Sequence, residues 1–300
     1  MVSIANILRE IQQAGTPGGN NLKKIDTKAQ WAAGLGPLFA CPVCHEPLFV
    51  EGHSFVCANA HRYDLAKKGT INFLNAPVKT EYTAEMLAAR RRVLQAGLFS
   101  PFVDRIAAQL NGDERLLDIG CGEGTPTADL AKTGADAIGF DISAPAIQLA
   151  GALDTSAFFC VADLARLPFV DDSFDVLVDL FSPGAYAEFD RVLKAGGRLF
   201  KVIPEADYLR ELRQGLYAGT PKGTYSNAPV LERFLETYPD AEVSDIEYDF
   251  PVDAAQFEDI VAMTPLSWQA PADKRAELLA NPPASIHVAV KLLQVTKSHA

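Results

Sequence analysis

Three of the chain's five cysteines fall in one stretch, "CPVCHEPLFVEGHSFVCANAH", residues 41–61. The pattern Cys41-x2-Cys44-x12-Cys57-x3-His61 supplies three thiolates and an imidazole, a donor set suited to tetrahedral zinc. Four protein ligands leave no open coordination position, so such a metal is structural and performs no reaction. His61 completes the set because its spacing from Cys57 matches, which leaves His45 and His53 spare at the surface. The plainer alternative is that the cysteines fill a small core, since free cysteine is often buried.

A second group could do chemistry. "LLDIGCGEG" places Asp118, Gly120, Gly122, Glu123 and Gly124 in a glycine-rich turn after an apolar strand. Glycines there let the backbone approach a ligand, and a helix follows at "TPT", with Thr125 expected as its cap and Pro126 in its first turn. GxGxG alone is weak, because dinucleotide and nucleoside sites share it. Two carboxylates sharpen it. Asp141, with Ile142 beside it, ends the next strand in "AIGFDIS", where a carboxylate can hold ribose hydroxyls. Asp163, followed by Leu164, ends the third strand in "FFCVADLARLPF" and could accept from an adenine amino group. Asp118 would contact the turn or the amino-acid end of the ligand. Any one of these could be a solvated loop charge, but three at successive strand ends favour S-adenosylmethionine, and the lack of GxGxxG disfavours a dinucleotide. Cys121 reads as a small filler within the turn.

These residues need a scaffold. From residue 115 onward, "RLLDIG", "DAIGFDI", "AFFCVAD", "FDVLVDLFS" and "GRLFKVIP" alternate with helical segments. That succession predicts an α/β fold, a Rossmann-like parallel sheet covered by helices, with "EVSDIEYDFPV" and "SIHVAVKLLQV" as late strands that could close it. Residues 82–110 read as two helices broken near Gly97 and Pro101. The runs "PLFV", "SFVC" and "TINFL" predict small strands in the cysteine module. Residues 1–15 suit a short helix, and Gly15 to Asn21 a flexible linker. The division expected is 1–36 extension and linker, 37–78 zinc module, 79–300 cofactor domain.

The chain has 300 residues, 48% of them hydrophobic, and a net charge of −11. No apolar run is long enough to span a bilayer, the start does not read as a signal peptide, and five clustered cysteines argue against a disulfide framework. The cytoplasm is the expected compartment. Charge is uneven: residues 1–111 hold 12 Lys/Arg against 8 Asp/Glu, and residues 112–300 hold 15 against 30. A mildly basic front can meet phosphates that the acidic rear would repel. Arg90, Arg91 and Arg92, with Lys67, Lys68 and Lys79, are the candidate contacts, although three consecutive arginines on a helix cannot all face one partner.

"LDIGCGEG", "DLARLPF", "FSP", "RVLKAGGRL", "EMLAARRRVLQAGLF", "AHRYDLAKKGTINFL" and "MTPLSW", behind a Cys3His module, together resemble the bacterial 23S rRNA (guanine-N1)-methyltransferases of the RlmA type, and the Gram-positive branch more than the enterobacterial one. The resemblance spans about residues 37–300. It implies a class I methyltransferase domain using S-adenosylmethionine, a structural zinc on Cys41, Cys44, Cys57 and His61, and a 23S rRNA hairpin as partner. It also implies that Gly122 and Glu123 touch the cofactor. Phe99 stands where the family often has a tyrosine, Tyr208 where it often has histidine, and Thr125-Pro126 where an aromatic pair is common. Asp179, Phe181 and Ser182 in "DLFSPG" would line the guanine pocket, Phe181 stacking on the base and Asp179 accepting the N1 proton. Loss of a zinc ligand should then spare cofactor binding, because the two sites lie in different segments. A homodimer is compatible with the sequence. Two other functions are compatible with the motifs: a small-molecule methyltransferase stabilised by zinc, and a non-catalytic RNA-binding protein.

Overall fold

The computed structural model describes residues 22–298. The helix expected over 1–15 and the linker expected over 15–21 lie outside the described residues. The first helix, α1 (Lys24–Gly34), buries Ala29 and Ala32. It is docked through its lysines: Lys24 Nζ donates to the carbonyls of Gly151 (2.8 Å) and Leu153, and Lys28 Nζ to those of Thr155, Ser156 and Ala157. Trp31 stacks on Phe158 with ring centroids 5.4 Å apart.

The cysteine stretch folds as a four-stranded antiparallel ribbon, β1 (Phe39–Ala40), β2 (Pro47–Glu51), β3 (Ser54–Cys57) and β4 (Arg62–Asp64), in that spatial order. Short strands and tight turns suit a chain whose metal ligands must return to one point. "TINFL" behaves otherwise. Its strand β5 (Ile71–Asn72) leaves the ribbon and pairs in parallel with Cys160 and Val161 at the edge of the large sheet.

That sheet has eight strands in the order β11-β12-β10-β9-β6-β7-β8-β5. Its centre is parallel: β6 (Arg115–Ile119), β7 (Asp136–Asp141), β8 (Phe158–Val161), β9 (Phe174–Leu180) and β10 (Leu193–Pro204). Strands covered on both faces are apolar throughout, as in "FFCV" of β8, which is fully buried. The late strands β11 (Glu242–Pro251) and β12 (Ser285–Thr296) extend the sheet antiparallel through β10. Edge strand β11 carries Glu242, Asp245, Glu247 and Asp249, charges that discourage pairing with another chain.

The helices that follow are α2 (Ala84–Gln95), α3 (Ser100–Ala107), α4 (Thr125–Ala131), α5 (Ala144–Ala150), α6 (Tyr186–Val192), α7 (Arg210–Tyr217), α8 (Ala228–Thr237), α9 (Ala254–Met263), α10 (Pro265–Trp268) and α11 (Ala272–Ala280), with a 3-10 turn at Pro221–Gly223 between α7 and α8. The break between α2 and α3 falls at Gly97–Phe99, next to Pro101, where proline sits in the first turn of α3. The last five of these helices were not anticipated from motifs. They differ in burial: α9 buries Phe257, Ile260, Val261 and Met263, whereas α11 buries no residue.

The two sheet faces carry two separate cores. One holds Phe102, Val176, Val178, Phe200 and Phe257. The other holds Leu117, Leu177, Phe158, Phe169 and Phe174 together with Phe39 and Phe55 of the ribbon. Phe39 packs on Phe55, Phe73, Phe158 and Phe169 at centroid distances of 5.0–5.7 Å. Ribbon and sheet therefore share one hydrophobic core.

Candidate cofactor and zinc sites

In the ribbon, the turn after Cys41 closes with His45 N donating to Cys41 O, and the turn after Cys57 with Ala60 N donating to Cys57 O. His45 and Ala60 both adopt positive φ, 63° and 60°, which folds each ligand pair back on itself. Cys41 Sγ and Cys57 Sγ each lie 3.4 Å from His61 Nδ1, and Cys44 Sγ lies 3.6 Å from Cys57 Sγ. Zinc–ligand bonds of about 2.0–2.3 Å in a tetrahedron put neighbouring donors roughly 3.5–3.8 Å apart. All four donors fall within 4.8 Å of one another, so the cage fits zinc with no further ligand. His53 is exposed and pairs with Asp26 at 2.7 Å, and exposed His45 meets Arg166 at 2.9 Å.

The second site follows from the sheet order. β6 has β9 on one side and β7 on the other, so the loops after these strands diverge and open a crevice at their carboxyl ends. A cavity of about 480 Å³ lies there, lined among others by Gly120, Gly122, Asp141, Ile142, Asp163, Leu164, Phe181 and Ser182. It is of a size that takes one drug-sized ligand. Gly120 has no room for a side chain: a β-carbon would stand 2.1 Å from Ser182 Oγ, and its φ is 66°.

Asp141 accepts from Gly122 N (2.9 Å) and Ser143 N (2.8 Å), which fixes the carboxylate at the cavity wall. Burial raises its pKa above the ordinary carboxylate range, while those backbone donors pull it back. Asp163 lines the same wall one strand further on. Phe99 and Tyr208 also line it, with Phe181 between them at centroid distances of 5.2 and 5.3 Å. Burial pushes the Tyr208 phenol up to about 12, against the pull of Arg90, so it is a neutral hydroxyl at pH 7.

Several expected residues stand elsewhere. Asp118 is 1% exposed and accepts from Thr127 Oγ1 at 2.5 Å, holding α4 under the turn, and burial pushes its carboxyl up to about 7. Glu123 is sealed behind the turn and accepts from Arg91 Nε (2.8 Å) and from Thr125 N and Oγ1. Gly124, not Thr125, is the N-cap of α4; its φ of 88° and the contact of its missing β-carbon with Phe159 at 2.9 Å require glycine. Glu123 and Gly124 build the turn without lining the cavity. Asp179, expected as proton acceptor, is fully buried and bonded to Lys201 Nζ at 2.6 Å and to Ser182 N at 2.9 Å. It anchors the loop and does not face the cavity. Cys121 is buried, as a filler should be.

The arginine run splits three ways. Arg91 is committed to Glu123, and Arg92 makes a two-pronged pair with Asp259 at 2.5 and 2.7 Å. Arg90 turns into the cavity, its guanidinium 5.4 Å from the Phe99 ring centroid. Among the described residues it has no ion-pair partner. Motif reading also missed Tyr82, Leu87, Ser143, Thr264 and Pro265 as cavity wall. "MTPLSW" was the available signal for the last two, and its Met263 lines the wall as well.

A glycine turn, strand-end carboxylates and a crevice at the switch point define a class I, S-adenosylmethionine-dependent methyltransferase with an attached zinc ribbon. The methyltransferase-domain family matches residues 117–201, and the RlmA N-terminal zinc-ribbon family matches residues 39–81. YxjB of Bacillus subtilis (strain 168), which carries the name of a 23S rRNA (guanine-N1)-methyltransferase, is 39% identical over 270 residues, covering 85% of this chain and 96% of that protein. A 23S rRNA (guanine(748)-N1)-methyltransferase of Streptomyces fradiae is 29% identical over 253 residues, 81% of this chain and 90% of its own. A Haemonchus contortus phosphoethanolamine N-methyltransferase in complex with S-adenosylhomocysteine is similar in structure, with TM-score 0.48 and 16% identity over 73% of this chain and 58% of that one. The chain belongs to the 23S rRNA (guanine-N1)-methyltransferase family.

Proposed function

We propose that this chain transfers a methyl group from S-adenosylmethionine to N1 of a guanine in a 23S rRNA hairpin loop. The observation that carries this reading is the zinc ribbon fused, through a shared core, to a cofactor crevice, over the same span as the relatives bearing that name. An rRNA substrate places the protein in the cytoplasm. No helix among the described residues is long and apolar enough to cross a membrane. The test is methyl transfer to unmodified 23S rRNA with the modified atom identified.

Bound cofactor supplies a sulfonium-activated methyl group, so the protein's task is alignment and exclusion of water. Asp141 is placed for the ribose hydroxyls and Asp163 for the adenine side. Arg90, beside Gly122 (whose β-carbon would lie 3.5 Å from Arg90 Nε), is the cation placed for the carboxylate of the cofactor's amino-acid end. On the other wall, Phe181 offers a ring for the extruded base, with Ser182 and Tyr208 hydroxyls near to bond the guanine edge. The site residues are proposed in these roles. For phosphates, exposed Lys67, Lys68 and Lys79 remain, while half-buried Arg91 is held by Glu123 and exposed Arg92 by Asp259.

Calorimetry separates these roles. Asp141→Ala should weaken S-adenosylhomocysteine binding by about 1.5–3 kcal/mol, the range for a hydrogen bond to a charged group. Arg90→Met should weaken it comparably, yet leave methylthioadenosine, which lacks the carboxylate, bound as before. Equal losses for both ligands in Arg90→Met would assign Arg90 to the shape of the wall instead.

A further inference from the structure

With Arg91 committed to Glu123 and Arg92 paired at the surface with Asp259, the phosphates of a bound strand need further partners, and the acidic half of the chain holds some. Residues 208–227 carry Arg210, Arg213 and Lys222 against the single acid Glu211, within a half that is otherwise strongly acidic. Arg210 is paired with Glu211 at 3.1 Å. Arg213 and Lys222 have no ion-pair partner among the described residues. Each instead lies on an aromatic ring: the Arg213 guanidinium is 5.1 Å from the Tyr225 centroid, and Lys222 Nζ is 5.6 Å from that of Tyr217. Arg213 Nε is buried with no hydrogen-bond partner, a state that calls for an explanation in a native fold.

This basic–aromatic ledge is joined to two segments that line the cavity. Helix α7 starts one residue after Leu209, a cavity-lining residue. Tyr217 Oη donates to Leu266 O at 2.8 Å and Lys222 Nζ to Gln269 Oε1 at 3.2 Å, which ties the ledge to the turn carrying cavity-lining Pro265. Cations interleaved with aromatic rings are what an unpaired RNA strand needs, a charge track for phosphates and π-faces for bases.

We propose that Arg213, Lys222 and Tyr225 form a landing surface for the single-stranded nucleotides next to the methylated base. This deepens the rRNA reading above and rests on it. Lys222 takes a phosphate, Tyr225 stacks on a flanking base, and Arg213 bridges ring and backbone.

The test uses the full-length zinc-loaded protein with S-adenosylhomocysteine, and fluorescently labelled unmodified 23S rRNA hairpin transcripts over a range of salt. Lys222→Gln should reduce the slope of log affinity against log salt by about 1. Tyr225→Leu should weaken binding about 5- to 150-fold, the range for loss of one base–aromatic stack, and Tyr225→Phe should restore it. Lys222 is exposed and Tyr225 half-buried; neither lines the cavity, so S-adenosylhomocysteine affinity should not move, and Tyr225→Phe keeps the ring's packing. Wild-type methyl transfer combined with unchanged slope and affinity in Lys222→Gln and Tyr225→Leu would overturn the ledge and leave the substrate reading standing. Ledge-dependent RNA binding without methyl transfer would do the reverse. Absence of RNA binding by the wild type would overturn both.

Discussion

Protein stripped of zinc, or carrying Cys44→Ser, is expected to lose the ordered ribbon and to bind cofactor more weakly. Apparent folding energy from a structural zinc is about 10–16 kcal/mol, comparable to or larger than the whole stability of a typical domain. The ribbon has little else: its strands are two to five residues long, and its core is borrowed from the sheet. Its collapse would reach the adenine side of the crevice. Ala40 N donates to Pro168 O, Val170 N donates to Leu38 O, and His45 meets Arg166, all on the segment that follows Asp163. Segment separation alone suggested that cofactor binding would be spared, and the shared core reverses that expectation. One zinc per chain by elemental analysis and a raised Kd for S-adenosylhomocysteine after chelation are the expected results. An unchanged Kd in metal-free protein would show that ribbon and crevice are independent.

Lys201→Met is expected to destabilise the fold by about 3–5 kcal/mol, because it leaves the Asp179 charge buried and unpaired. Both side chains are sealed from solvent, and the lysine also donates to Ser182 O at 2.7 Å. The pair clamps a loop in which Phe181 adopts a φ of 67°, a conformation that side chains other than glycine rarely hold. Burial holds the Asp179 carboxyl up at about 6, with Lys201 pulling it down. A carboxyl raised in the folded state makes folding bind protons, so its contribution to stability falls as pH rises from its unfolded value near 4 through 6. Without Lys201 that carboxyl rises further, and the variant should lose stability as pH climbs beyond 6. Denaturant unfolding at pH 5.5 and 8 measures this. The double variant Asp179→Asn with Lys201→Met should recover part of the loss, since no lone charge remains. A Lys201→Met protein as stable as wild type at pH 8 would mean that Asp179 has another partner.

What could be read from the sequence was whatever has a fixed spacing. Zinc ligands must converge on one atom, so Cys41, Cys44, Cys57 and His61 were legible, and the structure brings their donors together. Gly120, Gly122, Asp141 and Asp163 follow from the βα rhythm, because a strand's last residue emerges at the crevice. Direction of a side chain is not periodic in the same way. Asp118 and Asp179 sit next to strand ends and Glu123 in the glycine turn, yet all three point into the packing, each meeting a long-range or helical partner that spacing does not reveal. Arg90, Arg91 and Arg92 are consecutive and take three fates, as helical geometry requires once Glu123 and Asp259 claim two of them. The segment "TINFL" reads as a ribbon strand until β8 offers it an open edge.

The most direct measurement is the position of the methyl group. Purified protein, labelled S-adenosylmethionine and unmodified 23S rRNA should yield 1-methylguanosine on nuclease digestion. Methylation at N1 blocks the Watson–Crick edge, so reverse transcriptase should stop one nucleotide before a single guanine in a hairpin loop. Phe181→Ala should reduce turnover more than cofactor affinity, by loss of stacking worth about 1–3 kcal/mol on the extruded base. Label on another atom of guanine, on another base, or only on small metabolites would contradict the account.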